Sequence, residues 1–364
     1  MARSARYLVR ISVVIPAYNA GAFIDDAIES ARAQDYPPAE IVVVNDGSVD
    51  RDYDELEERY PGTRVVTQKN RGVSAARNAG CQVSECEYIA LLDADDVWFP
   101  GKLRAQVEAL ENDTQCAAVY CNGVIWRSSD GDRHIPLPSP PPRSAESVLE
   151  TVRLRYEDFL LGLPVAPSTM LIKKAAWQAI GGFDESRRYA EDQEFNIRLS
   201  RKFSATVIKM AGVLYRRHHA SATASLQREN HWADMIKECV SRYGTVNPDG
   251  KPIDAIKLSA HIGALHFLHG YGHYTHGNVD VARKELRDAV RYDRRNMRYA
   301  AYRTLSAVPL SRSLVNGFRS ARTSILRRKS HNESMGLSEF GDIGADREWL
   351  YKMGGLHRCT VANR

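Results

Sequence analysis

Two short runs, "ISVVIPA" (11–17) and "EIVVVND" (40–46), restrict the fold more than anything else in the chain. Each is a continuous, largely β-branched apolar stretch without polar alternation, as expected of a strand buried on both faces. Between them, after "YNAG", Phe23, Ile24, Ala27, Ile28 and Ala31 fall on one side of a helix that Pro37 and Pro38 end. The alternation continues with "TRVVTQ" (63–68) as a third strand and "GVSAARNAGCQV" (72–83) as a helix. "EYIALLDA" (87–94) is a fourth strand, a helix starts near Pro100, and "CAAVYCNGVI" (116–125) is another strand. Buried strands alternating with helices predict an α/β architecture: a mostly parallel sheet with right-handed crossovers. Ligands of such sheets bind beyond the carboxyl ends of the strands. Tyr18 and Asn19 follow the first strand, Asp46 the second, and Asp93 and Asp95 the fourth.

The stretch from Ser128 to about Arg143, "SSDGDRHIPLPSPPPR", is polar and proline-rich and reads as a flexible loop, taken here as 128–145. Residues 147–200 return to helices and short strands, and after about 226 the pattern is helical. "GNVDVARKELRDAVRYDRRN" resembles half of a tetratricopeptide-type hairpin, although one unit makes no array. The expected organisation is a nucleotide-binding domain over 1–225, a helical region over 226–328 and a polar, partly disordered tail over 329–364.

No apolar run approaches the roughly 20 residues of a membrane span. The nearest, "FLLGLPVAPSTMLI", is broken by Pro164 and Pro167. The opening "MARSARYLVRISVVIP" imitates a signal peptide, but its apolar run passes directly into the first strand, so export is not expected. The six cysteines contain no CxxC pair and no zinc spacing; reduced thiols in a cytoplasmic protein are the plain reading, with no structural zinc expected. Charge is unevenly placed. From Arg283 to Lys329 there are 14 Lys/Arg against three acidic residues, so the remainder is net negative although the whole chain is +5. That asymmetry points to an anionic partner such as membrane lipid, or to a solvated helical face. Nucleic acid is not expected, because no aromatic interleaving or recognition motif accompanies the charge.

"LLDADDVW" (91–98) gathers Asp93, Asp95 and Asp96 at a strand end. A solvated turn could carry them; so could a site for Mg²⁺ or Mn²⁺, which favour carboxylate oxygens and share their shell with diphosphates. Asp96 fits a turn-capping role better. In "VVVNDGSVD", Asp46 could accept a hydrogen bond from a base or ribose, or simply organise the Asp-Gly-Ser turn. Tyr18 offers a flat ring for stacking, or lines the sheet edge. Arg77 in "NRGVSAARNAG" could contact phosphate, brace an aspartate or face solvent. Glu191 and Asp192 precede an amphipathic helix, where a carboxylate pair either favours the helix start or supplies a general base. The adjacent His218 and His219 point different ways, so at most one serves a given site.

"SVVIPAYN", "EIVVVNDGSVD", "NRGVSAARNAG", "LLDADDVW", "GGFDE" and "AEDQEF" occur in this order. With them the chain, over about residues 9–225, resembles the family 2 glycosyltransferases, inverting enzymes of the GT-A fold that use nucleotide-activated sugars. The resemblance implies that Pro16, Tyr18, Asp46, Arg77 and Asp93 bind the donor nucleotide, and that Asp95 ligates Mn²⁺ or Mg²⁺. It implies Asp192 as catalytic base supported by Glu191, and His218 at the diphosphate or metal. Trp177, Gly181, Gly182 and Phe183 would belong to the acceptor region. His219 stands where a proline is common, and Asn45 where an aspartate is usual. The implied activity moves a sugar, with UDP as the habitual carrier, to a glycan or lipid-linked acceptor at the cytoplasmic membrane face. The competing readings are a degenerate domain kept as a binding scaffold and a nucleotidyltransferase. Intact Asp46, Asp93, Asp95 and Asp192 weigh against the first, and the absence of a basic residue in "PAYNAGAF" against the second.

Overall fold

The structure, a computed structural model, describes residues 9–127, 150–163, 165–218 and 226–308. The expected loop at 128–145, His219 and the tail at 329–364 lie outside the described residues. The chain divides into two compact units, one of residues 1–159 and 165–219, the other of residues 160–164 and 220–364.

The first unit begins with β1 (Ile11–Ala17), buried along its whole length, then α1 (Ile24–Arg32) and β2 (Glu40–Asn45). There follow α2 (Glu55–Arg59), β3 (Thr63–Thr67), α3 (Val73–Val83), β4 (Tyr88–Leu91), a two-residue β5 (Val97–Trp98) and α4 (Lys102–Asn112). Next are β6 (Cys116–Arg127), β7 (Thr151–Leu154), α5 (Tyr156–Leu160), β8 (Leu171–Lys173), α6 (Lys174–Ile180), α7 (Glu191–Ser200) and β9 (Ser204–Arg217). The sheet runs β3-β2-β1-β4-β8-β6-β9-β5, with β7 also on β9. Pairing is parallel through β3, β2, β1 and β4 and again between β6 and β9, while β8, β5 and β7 join antiparallel. The expected α/β class and its mostly parallel sheet are present.

Ile11, Val13 and Ile15 of β1 share one core cluster with Ile24, Ala27 and Ile28 of α1. On α3, Gly80 permits a close approach that no other residue would: a Cβ there would meet Val14 Cγ1 at 2.4 Å and Val44 Cγ2 at 3.0 Å. This seats α3 directly on β1 and β2. Because β2, β1 and β4 are neighbours and parallel, their carboxyl ends open on one edge of the sheet. Tyr18, Asp46 and Asp93 are thereby gathered.

The second unit is helical: α8 (His231–Tyr243), α9 (Ala255–His276), α10 (Val279–Tyr292) and α11 (Met297–Ala307). Gly277, at φ +92°, turns α9 into α10, and the Phe267 ring stacks on Tyr299 with centroids 4.6 Å apart. Among the described residues no helix is long and apolar enough to cross a membrane.

Candidate active site

The turn after β4 carries three aspartates in different circumstances. Asp96 is buried; its Oδ2 accepts from Ser168 Oγ at 2.5 Å and its Oδ1 from the Arg216 amide at 3.1 Å. Burial first, then Asp95 and Asp93, push its carboxyl well above the ordinary range. Asp96 is therefore a structural member of the turn, as its position before Pro100 predicts. Asp93 is raised too, chiefly by burial, against the pull of Arg77.

Asp95 keeps its side chain partly open. Its Oδ2 lies 3.1 Å from His218 Nε2, and its backbone carbonyl accepts from Arg216 Nε at 3.0 Å. Arg216 is fully buried, pairs with Asp26 of α1 at 2.6 Å, and lies over the rings of Phe23 and Trp126 at 4.7 and 5.1 Å. Phe23 in turn packs against the His218 ring, 4.6 Å between centroids. Asp26 and Arg216 together fix the end of β9 to the aspartate turn. Asp95 and His218 thus bring a hard oxygen and an imidazole nitrogen together; the carboxylate suits Mn²⁺ or Mg²⁺ sharing its shell with a diphosphate, and the imidazole suits Mn²⁺ better than Mg²⁺.

Arg77 links the two halves of the site. From α3 its NH2 donates to Asp93 Oδ1 at 2.8 Å and its NH1 to Glu191 Oε1 at 2.9 Å. Burial pulls this guanidinium down, but Asp93 and Glu191 more than offset it, so it stays charged. Its Nε is buried with no hydrogen-bond partner among the described residues. The Phe183 ring lies 5.4 Å from it and stacks on Phe195 of α7 at 4.1 Å.

Asp192 stands half-buried in the first turn of α7, its Oδ1 accepting from the Gln193 amide at 2.8 Å. Burial, then the charge of Glu191, push its carboxyl up to about 7, Arg77 opposing. A carboxyl tuned near neutrality, beside a carboxylate paired with an arginine, is suited to accept a proton at physiological pH.

Asp46 is buried and already occupied. Its Oδ1 accepts from Gln68 Nε2 at 2.7 Å and the Arg71 amide at 2.9 Å, and its Oδ2 from the Gly72 amide at 2.8 Å. It organises the loop into α3, and a carboxylate with about four acceptor positions retains one for a ligand. Tyr18 is 56% exposed, leaving a ring face open, whereas Pro16 is buried in β1.

Of the expected acceptor-region residues, Trp177 and Phe183 are buried. Gly181 (φ +83°) and Gly182 (φ +70°) make the turn after α6, and a Cβ at Gly182 would stand 2.6 Å from Asn78 Oδ1. Asn78 pins that turn, donating to the Phe183 carbonyl at 2.9 Å and accepting from its amide at 2.8 Å. Asn78, Asp26, Ser168 and Arg216 escaped the sequence reading. Asn78 lies one residue beyond Arg77, but nothing local shows that it faces a turn 105 residues away.

Among known proteins, the family profile described as Glycosyl transferase family 2 matches residues 12–179. An uncharacterized glycosyltransferase of Rickettsia typhi is 30% identical over 241 residues, which cover 64% of this chain and 73% of that protein. The uncharacterized glycosyltransferase YibD of Escherichia coli K12 is 38% identical over 134 residues, and the match spans only 39% of its length. The chain also resembles, in fold, the S. aureus TarS fragment 1–349 crystallised with UDP-GlcNAc: TM-score 0.58 and 17% identity, covering 92% of this chain and 95% of that one.

Proposed function

The chain belongs to family 2 of the glycosyltransferases, an inverting family, and from that premise we propose that it moves a sugar from a UDP-sugar to a hydroxyl of a glycan or lipid-linked acceptor, in the synthesis of a cell-surface or exported polysaccharide. UDP as the carrier is supported by the donor named in the TarS complex. The observation that carries the reading is the Arg77 bridge, which ties Asp93 of the aspartate turn to Glu191 beside the raised carboxyl of Asp192. Donor and acceptor chemistry are thereby held within reach of one guanidinium.

In this reading Tyr18 stacks on the base, Asp46 accepts a base or ribose hydrogen with its remaining lone pair, and Asp93 is held by Arg77 for the ribose. Asp95 and His218 would hold Mn²⁺ or Mg²⁺, which when bound neutralises charge on the departing nucleoside diphosphate. Asp192 accepts the proton of the acceptor hydroxyl as that oxygen attacks the anomeric carbon from the face opposite the leaving group. Glu191, paired to Arg77, stands beside Asp192 and raises its basicity. One displacement inverts the anomeric centre without a covalent sugar–enzyme intermediate. The protein is proposed to act at the cytoplasmic face of a membrane, its basic helices turned to anionic lipid.

The test is calorimetric titration of the protein with UDP, GDP and dTDP, each with and without Mn²⁺. Metal-dependent binding of UDP is expected, at least tenfold tighter than without the ion. A folded sample that binds none of the three would leave a degenerate scaffold as the better reading.

A further inference from the structure

Away from the candidate active site, the second unit holds a buried cluster to which none of this chemistry assigns a task. His266 and His269 lie three residues apart on α9, Glu285 and Asp288 three apart on α10, so each pair shares one helical face. Glu285 Oε2 accepts from Asn230 Nδ2 at 2.7 Å, meets His266 Nδ1 at 2.8 Å and faces His269 Nδ1 at 3.4 Å. Ligand atoms of His266, Glu285 and Asp288 all lie within 4.8 Å of one another. Burial pushes the Glu285 carboxyl up, but His266, His269 and Asn230 outweigh it and hold the group ionised, below its ordinary range.

The buried histidine nitrogens make this arrangement unusual. His269 Nε2 lies 2.9 Å from the Gln227 carbonyl, which His273 Nε2 also approaches at 2.8 Å. A carbonyl only accepts, and His269 Nε2 also lies 3.2 Å from His273 Nε2, so it either donates to that carbonyl or accepts from His273. His269 Nδ1, 3.4 Å from Glu285 Oε2, is buried without a hydrogen-bond partner among the described residues. His266 has the complementary defect. Its Nδ1 serves Glu285, while its Nε2 is buried with no partner among the described residues, in a side chain only 4% exposed. A cation at the centre would give Glu285 and His269 Nδ1 a shared partner. His269 Nδ1 coordinates directly, and His266 coordinates through Nδ1 with its proton on Nε2, which stays without a partner among the described residues.

We propose that His266, His269, Glu285 and Asp288 form a binding site for a borderline divalent cation of the zinc class, bracing α9 against α10. Two imidazoles and two carboxylates are a zinc donor set, and ligands about 2.0–2.1 Å from a tetrahedral ion stand roughly 3.3 Å apart. The 2.8 and 3.4 Å separations around Glu285 are close to that spacing. The Gln227 carbonyl, 2.9 Å from His269 Nε2, is placed to accept the outer hydrogen bond of a ligating His269. Cysteine spacing could not announce such a site, because its ligands are spread over two helices and contain no sulfur. The proposal does not depend on the transferase reading.

The test uses the full, tag-free chain carrying Asp95→Asn, so that the candidate catalytic ligand does not contribute. Zn²⁺ alone is the probe, followed by equilibrium dialysis with metal quantification and by thermal melting. About one equivalent of zinc and a raised melting temperature are expected. Asp288 is only partly buried, so Asp288→Asn leaves the helix packing in place and weakens zinc at least about tenfold, as does His269→Gln. No zinc uptake, or uptake unchanged by Asp288→Asn and by His269→Gln, overturns the proposal and leaves the cluster as a proton-linked hydrogen-bond network.

Discussion

Asp192 combines two penalties, partial burial and a neighbouring Glu191, and both act against its charged form. Two consequences can be measured. As the general base it must be ionised, so kcat/KM should rise with pH and level off above about 7; a flat profile between pH 5.5 and 8 would contradict the assignment. A carboxyl raised in the folded state also costs stability, progressively as pH climbs from its unfolded pKa near 4 to about 7. Asp192→Asn should therefore melt higher at pH 8, by on the order of 1–2 kcal/mol after allowance for solvent screening, and gain nothing at pH 4. The sequence shows Asp192, Asp93, Asp95 and His218 because each sits in a recognisable motif. It hides Asp26 and Arg216, a buried ion pair across 190 residues whose acid reads locally as an ordinary helix-start charge. Arg216→Met should remove the arginine paired with buried Asp26 and cost about 3–5 kcal/mol in a denaturant titration.

At the scale of elements, α3 is the member most exposed to a single change. Gly80 has no room for a methyl group against Val14 and Val44, so Gly80→Ala must push the helix off the sheet at about 1–3 kcal/mol. The displacement would move Arg77 as well. Transfer activity should fall further than stability alone explains, when rates are compared at a temperature where both forms are fully folded. Strands β1, β2 and β4 were legible because buried parallel strands write themselves as apolar runs between helices, and β3, an edge strand mostly not buried, by its β-branched run alone. The insertion of β8 between β4 and β6 was not, since three residues carry no period and antiparallel pairing is decided by distant partners. Nor was β9, whose fourteen residues take their alignment from β6 through a register broken by bulges.

For the whole molecule, charge and site fall in different parts. The candidate active-site residues belong to the first unit, while Arg283, Lys284, Arg287, Arg291, Arg294 and Arg295 are exposed on or just after α10 in the second. If that face meets anionic lipid, the protein should sediment with vesicles containing phosphatidylglycerol and not with phosphatidylcholine alone. Binding should weaken steeply between 50 and about 300 mM salt, and Arg287→Glu with Arg291→Glu should abolish it without altering UDP affinity. Equal binding to neutral vesicles would remove the electrostatic explanation. The most direct test of the central claim is UDP affinity in the presence of Mn²⁺, compared between Asp95→Asn and Asp192→Asn. The expected result is that Asp95→Asn loses at least tenfold while Asp192→Asn binds UDP as the parent does and transfers no sugar. Equal loss of UDP affinity in the two variants would contradict the division between a donor-holding turn and a proton-accepting carboxylate.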